Sequence, residues 1–124
     1  MNNQEAFDKV LKHLREQGKA AVRVAVASDG TKNEECCYRG PDGTMCAVGC
    51  LIPDEEYDSE LEGMAVDQIP QHLMPKSLRG LDEDLLCSLQ TVHDYFLRTQ
   101  GVHDWEKYMS RIAERYILKY TPPH

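Results

Sequence analysis

Three stretches of this sequence carry apolar residues at the helical period, and each such stripe must be buried against another element. In residues 3–17, Phe7, Val10, Leu11 and Leu14 fall at i, i+3, i+4 and i+7. Asn2 stands three positions before Glu5 as a cap, and Gly18 lies just past the end. Between residues 82 and 99 the stripe is Leu85, Leu86, Leu89, Val92 and Phe96, with Gly101 as its stop. The third, over 104–119, is Trp105, Tyr108, Met109, Ile112, Ala113 and Tyr116, followed by Pro122-Pro123. The predicted fold is therefore mainly α: a small single domain over residues 1–124, with two or three long helices packed around the segment 38–57. An α+β fold is the alternative if a short β element forms.

Between the first two helices the pattern changes. Val22, Val24 and Val26 alternate with Arg23 and Ala25, which suits a short strand over 20–27 closing at Asp29-Gly30. Gly40-Pro41-Asp42-Gly43 is turn chemistry, because proline presets φ and glycine accepts positive φ. After that reversal, Met45 to Ile52 is a short apolar run stopped by Pro53, predicted to form one or two buried helical turns with Cys46 and Cys50 on one face.

Length and composition fit one modest core: 124 residues, 41% hydrophobic. No run reaches the roughly 18 apolar residues of a membrane span, and Met1-Asn2-Asn3-Gln4-Glu5 lacks the basic-then-apolar pattern of a secretion signal. The expected location is the cytoplasm of a bacterial host cell, without membrane association. The sequence sets no oligomeric state.

The net charge of −7 is unevenly placed. Residues 1–33 carry six Lys/Arg against four Asp/Glu, 34–68 carry one against ten, and 69–124 carry seven against seven, giving regional charges of +2, −9 and 0. Phosphate backbones require a basic face, so direct nucleic-acid binding is disfavoured and a protein with a basic surface is the natural partner. Six carboxylates, Asp54, Glu55, Glu56, Asp58, Glu60 and Glu62, are expected to surround a helical turn begun by Pro53 and to form the partner-binding surface. The same run fails as a calcium loop, having neither the central glycine nor the alternating oxygen ligands. Solvated helix surface is the plainer reading of such a run.

Five cysteines include four within residues 36–50, an odd total in a chain without an export signal, which argues against a disulfide framework. A zinc site drawing on Cys37, Cys46 and Cys50, with Cys36 as an alternative to its neighbour, would use thiolates at i, i+4 spacing. The spacing matches no common zinc module, and cysteine also packs as a small hydrophobe. A thiol nucleophile would need a histidine, and His72, His93 and His103 are the internal choices, none placed beside a thiol by the sequence. No catalytic residue is assigned. Arg39 and Gly43, in the turn that leads into the apolar run, form a weak candidate anion site.

The string Cys37-Tyr38-Arg39-Gly40-Pro41-Asp42-Gly43-Thr44-Met45, continuing through Cys46-Ala47-Val48-Gly49-Cys50-Leu51-Ile52-Pro53-Asp54 to Tyr57 and then Glu62-Gly63, resembles a family of small uncharacterised bacteriophage and prophage proteins. The phrase from Cys46 to Asp54 is its most specific part. The likeness extends loosely to the leading helix and the Trp105 helix, while residues 20–28 and Glu34-Glu35-Cys36 depart from it, so it lends no support to a strand there. No activity is established for that family. By analogy the resemblance implies an accessory protein that binds a host protein, including a defence component, through its acidic surface. The competing class is a small zinc-binding or thiol-dependent protein built on Cys36 to Cys50.

Overall fold

The computed structural model describes residues 1–97 and 104–123. Helix α1, Asn3–Gln17, begins where the sequence places its cap: Asn2 Oδ1 accepts the Glu5 N–H at 2.9 Å and Glu5 Oε1 accepts the Asn2 N–H at 3.0 Å. Gly18, at φ 68°, returns its N–H to the Leu14 carbonyl and ends the helix. Ala6, Phe7, Val10, Leu11 and Leu14 are buried, the face that the spacing demanded.

A two-stranded antiparallel sheet follows, β1 (Val22–Val26) paired with β2 (Lys32–Cys36) in the register Val22↔Cys36, Val24↔Glu34, Val26↔Lys32. The valine strand forms as the alternation of Val22, Val24 and Val26 suggested. Val24 and Val26 are 61% and 65% exposed, so the hairpin projects from the core instead of roofing it. Two strands alone are marginal in water. This hairpin is held at its base: the Cys37 N–H donates to the Ala21 carbonyl at 3.0 Å, and the Ala21 N–H donates to His93 Nε2 at 2.8 Å.

Residues 37–81 contain no long helix, yet much of the core comes from them. Cys46, Ala47 and Val48 are fully buried, and Cys50, Leu51 and Ile52 nearly so. The run packs as a turn and a short 3₁₀ turn, Gly49–Leu51, which lies against α1. A Cβ built on Gly49 would overlap the Tyr38 carbonyl, so the close pass of the 38–39 backbone over this turn requires glycine. Gln17 fixes the strand side of the loop by exchanging two hydrogen bonds with the Met45 backbone, each 2.9 Å, and His13 Nε2 also reaches the Met45 carbonyl. Further 3₁₀ turns, Asp54–Glu56, Ser59–Leu61, Val66–Gln68 and Lys76–Leu78, carry the chain to the next helix, with Leu61, Val66 and Leu78 as buried anchors.

Helix α2, Glu83–Thr91, is capped by Asp82, and over Val92–Leu97 its bonding widens to the i→i+5 pattern of a π-helix. The widened turn rotates later side chains ahead of the α-helical register. Val92 is buried as the period requires, and His93 and Leu97 are buried with it, while Phe96, which the period placed inside, is half-buried and stacks on Tyr108 with ring centroids 3.6 Å apart. The expected end of this helix at Thr99 to Gly101 lies outside the described residues.

Helix α3, Trp105–Arg115, buries Met109, Ile112 and Ala113 and stops four residues before the expected 119. Ile117 takes φ 56°, and the Leu118 N–H reaches back to the Ala113 carbonyl at 2.7 Å. The tail then returns to α1: Gln4 exchanges hydrogen bonds with the Lys119 backbone at 2.8 and 3.1 Å, and Arg15 holds Glu106 at 2.6 and 3.0 Å. Three helices with one small sheet fit a small α+β fold, the alternative that the valine strand raised. No described helix is long and apolar enough to cross a membrane.

Candidate functional site

The acidic segment is not the helix that its carboxylates and Pro53 suggested. Its residues form two separate 3₁₀ turns, Asp54–Glu56 and Ser59–Leu61, with extended backbone at Tyr57 and Asp58 between them. Six carboxylates crowded on one short helix would repel one another; the broken path divides them between inner and outer roles.

Glu62 faces inward. It accepts the backbone N–H groups of Tyr38 and Arg39 at 2.8 and 3.1 Å and the Tyr57 hydroxyl at 2.6 Å, and burial together with this bond pushes the Tyr57 phenol up to about 12. Glu56 accepts the N–H and hydroxyl of Ser77 at 2.7 and 2.9 Å, and the Ser77 backbone bond holds its carboxyl below the usual range. These two residues, expected on a partner-binding surface, instead clamp the segment to the fold. Asp54 is 90% exposed at its side chain while pairing with Arg39. Asp58 caps the second turn through the Glu60 N–H at 2.9 Å and, like Glu55 and Glu60, is exposed. The outer face is thus Asp54, Glu55, Asp58 and Glu60.

Around the anion site expected at Arg39 and Gly43, several donors are already engaged within the fold, while Arg39 Nε is buried without a partner among the described residues. The Arg39 guanidinium bonds Asp54 and the Ile52 carbonyl and lies 4.9 Å over the Tyr57 ring. In the turn, the Gly40 N–H goes to the Thr44 carbonyl and the Gly43 N–H to the Gly40 carbonyl. A carboxylate already faces this loop: Asp42 accepts the Thr44 hydroxyl and pairs with Lys19, which lowers its carboxyl to about 2.

The thiols separate likewise. Cys46 Sγ accepts the Gly49 N–H at 3.1 Å, and Cys50 Sγ donates to the Ala47 carbonyl at 3.0 Å. Burial pushes the Cys50 thiol up to about 12, and raises Cys37, Cys46 and Cys87 as well. Protonated thiols are poor nucleophiles and poor ligands. The expected zinc set of Cys37, Cys46 and Cys50 does not converge; among the described residues the one group of three that does is Cys36, His93 and Asp94, with ligand atoms within 4.8 Å of one another.

That group does not suit a metal as it stands. A backbone N–H can only donate, so His93 Nε2, which receives the Ala21 N–H, must carry the lone pair. Nδ1 therefore bears the proton and donates to Asp94 Oδ1 at 2.7 Å. Neither nitrogen is left to hold an ion or to take a proton from a thiol. Of the other two histidines considered, His72 is exposed and His103 lies outside the described residues.

The hairpin base, the 63–67 loop and the widened turn of α2 surround a pocket of about 440 Å³. Cys36, Cys37, Cys46 and Cys87 line it together with Tyr38, Met64, Asp67, Gln90, Asp94 and Tyr95. Four of the five thiols thus share one cavity, although Cys87 is 37 positions beyond Cys50. Sequence reasoning missed Asp67, Cys87, Gln90 and Asp94, because only the return of α2 under the hairpin brings them together. The adjacent pair His93-Asp94 beside an apolar stripe was the one available signal. Comparison with family models, curated proteins and solved structures gave no match for this chain.

Proposed function

We propose that this chain is a binding protein, not an enzyme, and that Asp54, Glu55, Asp58 and Glu60 present a negative face to a basic surface on a partner protein. The observation that carries the reading is the division of the acidic segment: Glu56 and Glu62 anchor it from within, which leaves the outer carboxylates exposed on a held backbone. A preorganised charged surface loses little entropy on association and steers a basic partner by its field. The resemblance of Cys46 to Asp54 to phage and prophage proteins supplies the setting: an accessory protein acting on a host protein, with a host-defence component as the target class.

The test is quantitative capture from bacterial lysate with wild type and with a Glu55→Lys, Asp58→Lys, Glu60→Lys variant. Basic host proteins retained by the wild type and lost by the variant, with unchanged circular dichroism, support the reading. Retention of the same proteins by both overturns it. The zinc reading has one observation in its favour, the convergence of Cys36, His93 and Asp94. A one-zinc mass increment by native mass spectrometry, removed by Cys36→Ser, would revive it.

A further inference from the structure

We infer that the thiol-lined pocket is the socket for an arginine side chain of the basic partner. The inference rests on the binding reading above and gives it a specific recognition element. Charge argues first: among the described residues, Asp67 and Asp94 are the charged residues in the lining, and no lysine or arginine shares it. The acceptors argue second. Asp94 Oδ1 already receives His93 Nδ1–H at 2.7 Å and Gln90 Nε2–H at 2.8 Å, so the carboxylate is held in place. Its Oδ2 takes part in no hydrogen bond among the described residues. Asp67 is exposed and lines the same pocket.

The lining then selects the kind of cation. A metal ion is disfavoured because the His93 lone pair is occupied by the Ala21 N–H, and burial raises the Cys37 and Cys87 thiols. An ammonium is strongly hydrated and would lose that water against sulfur and aromatic carbon. A guanidinium is flat and weakly hydrated, and it offers five N–H donors that can divide between two carboxylates. It also packs its flat face against sulfur and aromatic carbon, which Cys37, Cys87 and Tyr38 supply in the lining. The volume of about 440 Å³ lies within the range of small-ligand sites and accommodates such a side chain. Gly63 to Asp67 continue directly from the acidic segment, so one partner surface can meet both.

The experiment is a titration of ¹⁵N-labelled protein with capped Gly-Arg-Gly, and with the same peptide carrying citrulline, the uncharged isostere of arginine. Saturable shifts at the amides of Cys36, Asp67, Cys87 and Tyr95, at peptide concentrations of order 1–10 mM, are expected for arginine and not for citrulline. Asp67→Asn should weaken binding about tenfold. Ala65→Phe, at an exposed position of the lining, should block the pocket without touching the core. Absence of shifts at these amides, or equal shifts with citrulline, overturns the inference. The lysine triple variant separates the two proposals, since at about 0.15 M salt it should keep saturable, arginine-specific shifts at the same amides even where the weaker field lowers the affinity. A silent pocket with partner capture lost in that variant refutes the socket alone; peptide binding with capture unaffected refutes the acidic-face reading alone.

Discussion

At the scale of single residues, two backbone positions carry opposite expectations. Gly49 sits where a Cβ would overlap the Tyr38 carbonyl, and that carbonyl belongs to backbone that Glu62 also holds. Gly49→Ala must push the two segments apart, so a loss of about 3 kcal/mol is expected, visible as a lower urea midpoint. Ile117 is the reverse case. A β-branched residue at φ 56° is strained, and at 93% exposure its side chain gains little from packing. Ile117→Gly relieves roughly 1–2 kcal/mol of left-handed strain against a smaller entropic loss, so a net gain of about 0.5–1 kcal/mol should raise the midpoint at unchanged slope. The sequence offered a motif around Gly49 but no hint of strain at Ile117, because a helix that stops at Arg115 is set by the tail's return to Gln4.

At the scale of elements, legibility tracked how local each cause was. Helix α1 could be read in full because its cap, stripe and terminal glycine all lie within its own residues. The acidic segment could not, since Glu56 and Glu62 are claimed by Ser77 and by Tyr38 and Arg39, which are 21 to 24 positions away. The π-widened turn was equally hidden, and with it the burial of His93. Through His93 this turn holds the hairpin, which yields a prediction. His93→Leu strands the Ala21 N–H, at a cost of about 1–3 kcal/mol, and should speed hydrogen exchange at Val22–Val26 and Lys32–Cys36 more than in α1. Equal acceleration across the chain would show that the hairpin does not open as a separate unit. The run from Cys46 to Ile52 makes a further prediction at alkaline pH. The Cys50 thiol is raised from the ordinary value near 9 to about 12 and the Tyr57 phenol from 10 to about 12. Groups raised in the folded state stabilise fully below their unfolded values and lose that contribution as pH climbs through the folded ones. The urea midpoint should therefore hold to about pH 9 and fall toward pH 12, less steeply in Cys50→Ala.

At the scale of the whole molecule, the regional charge of −9 sets the proposed binding role against stability. The outer carboxylates repel one another and the rest of residues 34–68, and Arg39 is the one cation in that region. Such self-repulsion destabilises the compact state, and added salt screens it over a Debye length of about 10 Å at 0.1 M. The Glu55→Lys, Asp58→Lys, Glu60→Lys variant changes the regional charge from −9 to −3 while leaving Glu56 and Glu62, the anchoring carboxylates, in place. Each substituted side chain is exposed, so the structural loss is confined to the Asp58 cap, of order 1 kcal/mol. Restoring that cap separates the two effects: in a Glu55→Lys, Glu60→Lys variant, melting at low salt should occur at a higher temperature than in wild type. The difference should shrink as sodium chloride is raised, because screening helps the more repulsive protein more. Partner capture should fall in the same variant. A protein that gains stability as it loses its partner has kept its charges together for binding; if the variant melted no higher at low salt, the acidic face would not be under electrostatic strain, and its concentration of carboxylates would need another cause.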